Sequence, residues 1–119
     1  MPIPAAPMPR RSPAPEPQPD GATLAAECLR TLAHPDRLRI VEALLERPYP
    51  VTELAERCGL ALNAASMHLR LMRDRGLLAM ERDGRRVYYR VAEPHLGAIM
   101  RCVQARFGPI GPGRRDEAE

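Results

Sequence analysis

Several residue types are scarce in this chain of 119 residues. It has no tryptophan, one phenylalanine and three tyrosines, and all 18 of its basic residues are arginine. A core must therefore be built from Leu, Ile, Val, Ala and Met. Three cysteines, an odd number, argue against the disulfide framework of a small secreted protein. No apolar run reaches the length of a signal peptide or a membrane span, so we expect a cytoplasmic protein.

The usual marks of an enzyme are also missing. The sequence contains no Gly-rich phosphate-binding loop and no nucleophile with a neighbouring base. Its histidines are His34, His68 and His95. We therefore expect no catalytic activity and no bound cofactor.

Prolines are concentrated at the N terminus, where they make up eight of the first 20 residues. Proline has no backbone N–H, and so apolar-poor a stretch cannot form a core. Residues 1–21 are therefore predicted to form a disordered arm, partly in the polyproline II conformation. Residues 108–119, rich in Gly, Pro and charge, are predicted to form a flexible tail. The remaining residues 22–107 form one domain, small enough that we expect dimerisation to add buried surface.

The spacing of apolar residues in this domain predicts five helices. We expect Thr23 to cap the first helix, Thr52 the third and Asn63 the fourth. Pro35 suits the first turn of the second helix, where its missing N–H costs little. The fifth helix is expected to begin near Glu93.

Between the fourth and fifth helices the apolar spacing becomes an alternation. Residues 77–82 and 86–91 flank Asp83-Gly84, which is a strong signal for a tight β-hairpin. From residue 70 to residue 90, seven arginines stand against three carboxylates, a local net charge of +4 in a chain of net charge +3. Such a concentration is typical of a phosphate-binding surface.

These elements predict a mainly α fold with a small β-hairpin wing, a winged helix-turn-helix. An apolar stripe along the last helix is longer than a core of this size can cover; it consists of Leu96, Ile99, Met100, Val103 and Phe107. We expect the first and last helices to form a dimer interface. The alternative is that the stripe only closes the core of the monomer.

Three segments together resemble the ArsR/SmtB-type transcriptional repressors: LAHPDRLRIVEALL, then VTELAERCGL with NAASMHLRLMRDRGLL, then GRRVYYRV. The resemblance covers residues 24–107. It implies a homodimer that binds double-stranded DNA at an operator near its own promoter and releases it when an inducer arrives. Many family members have Ser-Gln where this chain has Ala61-Leu62, so the operator sequence does not carry over.

The fourth helix is the expected recognition helix, whose first half enters the major groove. Asn63 and Arg70 can bind base edges, although Asn63 suits a helix cap equally well, and Met67 can meet a thymine methyl. His68 is expected to pack or to touch a phosphate, and the wing arginines to reach phosphates or the minor groove. The predicted DNA-contacting residues are Asn63, Ala64, Ser66, Met67, His68, Arg70, Arg73, Arg82, Arg85 and Arg86.

Two metal sites known in the family do not match this sequence. Thiolate ligands at the third helix are replaced by residues 50–52, and only Glu93-Pro94-His95 follows the pattern of the site on the last helix. We therefore predict neither of these metal sites. Cys28, His95 and Cys102 remain as effector candidates, either as ligands of a soft metal or, for the two cysteines, as a redox switch. The alternative is that the cysteines only pack.

A second class of function fits the same fold. The domain could be a protein-interaction module on a winged-helix scaffold, with the proline-rich arm as a ligand and with weak, non-specific DNA binding. The basic recognition helix and wing favour the DNA-binding repressor.

Overall fold

The computed structural model describes residues 20–112. In this part of the chain the elements are α1 (Gly21–Leu32), α2 (Pro35–Glu46), β1 (Tyr49–Pro50), α3 (Val51–Cys58), α4 (Leu62–Asp74), β2 (Leu78–Asp83), β3 (Arg86–Val91) and α5 (Leu96–Phe107). The predicted fold class, a mainly α winged helix-turn-helix, is confirmed. None of the described helices combines the length and the apolar character needed to cross a membrane.

Both ends of the domain differ from the predicted boundaries. Helix α1 is capped by Asp20, whose carboxylate accepts the N–H of Thr23 at 2.9 Å, so Thr23 is not the cap. At the other end the N–H of Gly111 donates to the Glu42 carboxylate at 3.0 Å, and Ile110 packs against the core. Residues 20–21 and 108–112 are thus part of the folded unit. The rest of the predicted arm and tail, residues 1–19 and 113–119, lies outside the described residues.

The predicted caps of the later helices are also wrong, because these helices begin without a side-chain cap. Pro50 and Ala61, both in extended conformation, precede α3 and α4, and this places Thr52 and Asn63 inside the helices. Helix α5 begins at Leu96, later than predicted, after Glu93 has accepted the N–H of His95 at 2.7 Å.

The hairpin of the wing and a short third strand form a three-stranded antiparallel sheet in the order β1-β3-β2. Strands β2 and β3 pair from Leu78 with Val91 to Asp83 with Arg86, which confirms the predicted hairpin. The short β1 was not predicted. It pairs Tyr49 with Tyr89 and so joins the wing to the connection between α2 and α3.

The core lies where α2, α3, α4 and α5 meet. Its fully buried side chains include Ile40, Leu54, Leu69, Met72 and Met100, each at most 1% exposed. Leu69 and Met72 bring the inner face of α4 into this core, as predicted. Burying an aliphatic side chain of this size contributes about 1.5–3 kcal/mol, so the core fixes the orientation of α4 and leaves its other face outward.

Candidate nucleic-acid interface

The outward face of α4 carries a mixed polar and apolar surface. Asn63, Met67 and Arg70 are exposed, and Ser66 is half-buried between them. Together with Leu62 they line one shallow, open depression. A face with an amide, a hydroxyl and a guanidinium offers the donors and acceptors that read base edges. The predicted base-reading side chains are therefore neighbours in the structure.

Two other predicted members of the α4 set lie at the margin of this face. Ala64 is half-buried and carries no polar group. Arg73 is turned toward the wing, where its Nη1 lies 3.2 Å from the sulfur of Met80. Its Nη2 lies 3.8 Å from the carboxylate of Asp74 on α4. Arg73 therefore lies between the recognition helix and the wing.

The wing supplies the strongest positive charge. Arg82, Arg85 and Arg86 are all exposed at the hairpin tip, around the turn at Gly84, which has φ of +68°. Arg86 lies 3.8 Å from the Glu53 carboxylate. Arg82 and Arg85 form no ion pair with any of the described residues. These two guanidinium groups are free to meet an external anion.

His68, the remaining predicted contact on α4, is only 4% exposed and faces the protein interior. Its Nδ1 accepts the Nε–H of Arg37 at 3.1 Å, and its ring lies 4.6 Å from the ring of His34. Burial, followed by the positive charges of His34 and Arg37, lowers the pKa of the His68 imidazole. Of the two roles expected for His68, packing or a phosphate contact, its burial and its bond to Arg37 favour packing, which joins α4 to α2.

His34, Asp36 and His68 form a cluster of potential metal-ligating atoms within 4.8 Å of one another. The sequence did not predict it, because His34 and His68 are far apart in the chain. Nδ1 of His34 accepts the N–H of Asp36 at 3.0 Å, and the Asp36 carboxylate binds Arg39 at 2.7 Å. With Arg37 on His68, every member already has a partner, and two guanidinium groups oppose a cation. We read the cluster as a polar connection between α2 and α4.

The effector candidates do not form such a cluster within one described chain. Cys28 is half-buried, Cys102 is exposed and His95 is exposed with its Nδ1 2.9 Å from Glu93. Burial raises the pKa of the Cys28 thiol, and the negative charge of Glu93 adds to this rise. Burial also raises the pKa of Cys58 to about 11. Both shifts favour the unreactive thiol over the thiolate.

Comparisons with known proteins agree with this geometry. A family model described as a helix-turn-helix domain matches residues 32–81. The HTH-type transcriptional repressor SmtB of Mycobacterium tuberculosis is 38% identical over 96 residues, which are 81% of this chain and 70% of that protein. The chain belongs to the ArsR/SmtB family of transcriptional regulators. The resemblance noted in the sequence is thereby confirmed.

Further relatives of this ArsR/SmtB-family regulator agree in both sequence and structure. The HTH-type transcriptional regulator NmtR of M. tuberculosis is 38% identical over 79 residues, 66% of each chain. A solution structure of the homodimeric winged helix-turn-helix domain of Mb0332 from Mycobacterium bovis, a possible ArsR-family regulator, has a TM-score of 0.64 and 30% identity. That match covers 70% of this chain and 77% of the other. The chain is a winged helix-turn-helix transcriptional regulator.

Leu62 is a member of the α4 face that the sequence-based prediction left out. It is the first residue of the helix and is 50% exposed. Its helical position relative to Ser66 was a usable signal, since residues four apart lie on one helix face. The prediction instead treated position 62 only as the loss of a polar group.

Proposed function

We propose that this regulator is a cytoplasmic homodimer that represses transcription by binding an operator in double-stranded DNA. In this proposal α4 enters the major groove and the wing contacts the adjoining backbone. The observation that carries it is the pairing of a base-reading face, with Asn63 and Arg70, and a hairpin tip with unpaired guanidinium groups. Neither the α4 face nor the hairpin tip alone would provide both base readout and phosphate contacts.

The chemistry of the face supports direct readout of bases. The amide of Asn63 has the donor and acceptor pattern that matches adenine, and the guanidinium of Arg70 matches the paired acceptors of guanine. The wing residues Arg82, Arg85 and Arg86 carry no such sequence code, but they attract phosphates whatever the base. Arg70 therefore contributes to selectivity and the wing contributes to affinity for any duplex.

Exposed apolar residues on α1 and α5 support the dimer. Leu24 and Leu29 on α1 are 51% and 55% exposed, and Phe107 at the end of α5 is 72% exposed. The apolar stripe of α5 divides between two roles, since Leu96 and Met100 are buried in the core. The related Mb0332 domain is itself homodimeric. A second copy of the chain is the partner that would cover these exposed apolar residues of α1 and α5.

Release from the operator is the part of the proposal that concerns Cys28 and Cys102. The first lies on α1 and the second on α5, the same two helices that carry the exposed apolar face. A disulfide or a soft metal joining them would therefore act on the dimer interface. DNA binding measured before and after mild thiol oxidation tests this role, with a Cys102→Ser variant as the control. Binding that oxidation leaves unchanged would exclude a redox role of Cys28 and Cys102 in release.

DNA binding itself is tested by fluorescence anisotropy with the duplex upstream of the gene and a scrambled duplex of equal length. Wild-type protein should prefer the upstream duplex. Arg70→Ala should reduce the preference, whereas Arg85→Ala should weaken both duplexes and reduce the dependence of binding on salt. Arg101→Ala, which removes an exposed arginine from α5, is the matched control. Equal affinities for wild type and all three variants would refute the proposal.

A further inference from the structure

Two large apolar side chains stand on the outer face of α4. Leu62 is 50% exposed and Met67 is 58% exposed. Both line the same depression as Asn63, Ser66 and Arg70. Single exposed apolar residues are common on protein surfaces. Two exposed apolar side chains on the face that carries Asn63 and Arg70 indicate that a partner with apolar groups of its own covers this face.

The charges around this patch identify that partner. Arg70 lies in the depression, and the guanidinium groups of Arg82 and Arg85 are exposed on the wing without an ion pair among the described residues. A second copy of the chain on this face would bring like charges together, which costs binding energy. A polyanion would gain from the same charges. Double-stranded DNA is the polyanion that the proposed function places here.

The apolar group that DNA presents in its major groove is the C5-methyl of thymine. Leu62 has no hydrogen-bonding side chain and the Met67 thioether is only a weak acceptor, so neither forms a strong hydrogen bond to a base edge. Both side chains can pack against a methyl group. We infer that Leu62 and Met67 determine operator specificity by packing against thymine methyl groups. This inference rests on the proposed function and adds which bases the operator must contain.

The helix geometry makes the inference more specific. Residues five apart in an α-helix are separated by about 7.5 Å along its axis. Residues five apart are also about 140° apart around the helix, so the two side chains diverge and one thymine methyl does not pack against both. Leu62 and Met67 therefore require different base pairs, with the polar contacts of Asn63 and Arg70 between or beside them. Each should have its own thymine position in each half-site of the operator.

Replacement of thymine by deoxyuridine tests this directly, because the exchange removes the methyl and leaves every hydrogen-bonding group in place. The full chain is first used to select its preferred duplex from a randomised pool. Each thymine of that duplex is then replaced singly by deoxyuridine, and affinity is measured by fluorescence anisotropy. Wild-type protein should lose about fourfold in affinity at two positions of each half-site, the effect expected when the burial of one methyl-sized group is lost.

Variants assign each position to a side chain. Leu62→Ala should bind the all-thymine duplex more weakly and lose sensitivity to deoxyuridine at one of the two positions in each half-site. Met67→Ala should do the same at the other. Arg85→Ala is the control, since it should weaken all duplexes yet keep both deoxyuridine effects. Because Leu62 and Met67 are exposed, circular dichroism should show all three variants folded.

The outcomes separate this inference from the proposed function. Selective binding that is indifferent to deoxyuridine at every position would overturn the inference and leave the proposed function intact. A pool that yields no preferred duplex would refute the proposed function itself. A fall in the molecular mass of free Leu62→Ala in sedimentation would instead assign the patch to contact between copies of the chain, and would also overturn the inference.

Discussion

Arg37 on α2 donates its Nε–H to Nδ1 of the buried His68 on α4, at 3.1 Å. A second N–H of the same guanidinium donates to the backbone carbonyl of Thr31, at 3.0 Å. One side chain therefore connects the end of α1, the start of α2 and the inner face of the recognition helix. The orientation of α4 depends on this polar connection as well as on the apolar core.

Replacing Arg37 by alanine should destabilise the fold. The change leaves the buried Nδ1 of His68 without its donor, and a buried polar group that loses its partner costs about 1–3 kcal/mol. Urea unfolding followed by circular dichroism measures this loss. Arg101→Ala, at an exposed site on α5, should change the free energy of unfolding little. Equal stability of the two variants would show that water replaces the guanidinium.

Acid should weaken the fold through His68. Its pKa is lowered from 6.5 by burial and then by the charges of His34 and Arg37, so the unfolded chain binds a proton more readily than the folded one. The stabilisation is full above pH 6.5 and is lost as the pH falls from there toward the lower pKa of the folded state. Urea unfolding at several values between about pH 8 and pH 5 measures this slope. His68→Gln cannot titrate and should show a shallower slope, and equal slopes would contradict the assignment.

Two nearby positions on α4, Leu69 and Met67, should differ in how strongly alanine lowers stability. Leu69 is fully buried, so Leu69→Ala should lower the free energy of unfolding by about 2–5 kcal/mol. Met67 is 58% exposed, and Met67→Ala should leave stability almost unchanged. Thermal unfolding of the two variants beside the wild type makes the comparison. A large loss of stability in Met67→Ala would mean that its side chain packs against the protein.

A charge on α1 should separate the proposed dimer. Leu29→Asp places a carboxylate on the exposed apolar face of α1, where a partner chain would remove its charge from water. Sedimentation equilibrium without DNA should then give the mass of the monomer. Leu62→Asp is a matched control, because Leu62 is exposed to nearly the same extent but lies on the outer face of α4. A monomeric wild type, or dissociation by both variants, would refute an interface at α1.

The fold could be predicted from the sequence because its main signals are local. Apolar spacing, the turn at Gly84 and the stop at Gly59, which has φ of +69°, each depend on a few adjacent residues. The helix caps were predicted less accurately than these signals. Asp20 displaced Thr23 by binding its N–H, and Pro50 precedes α3 with no side-chain cap.

The site was predictable only in part, for the same physical reason. The outward positions of α4 follow from helical spacing, so Ser66, Met67 and Arg70 were found, whereas the burial of His68 depends on Arg37 and His34 from another helix. Nothing adjacent to position 68 reports such a contact. The exposure of Leu62 was overlooked because its lack of polar groups was taken as a loss rather than as a feature.

The short strand β1 constrains how control over DNA can operate. Tyr49 pairs with Tyr89 in the wing, and its hydroxyl accepts an N–H of Arg57 on α3 at 3.0 Å. Because β1 joins the wing to α3, and α3 packs against α4, we expect the wing, α3 and α4 to move together as one body. A signal would then not easily alter one DNA-reading surface relative to the other. In a dimer, the adjustable quantity would be the distance between two such bodies. Two half-sites lie about 34 Å apart on B-DNA, so a small rotation at the α1–α5 interface would place both recognition helices out of step with the grooves.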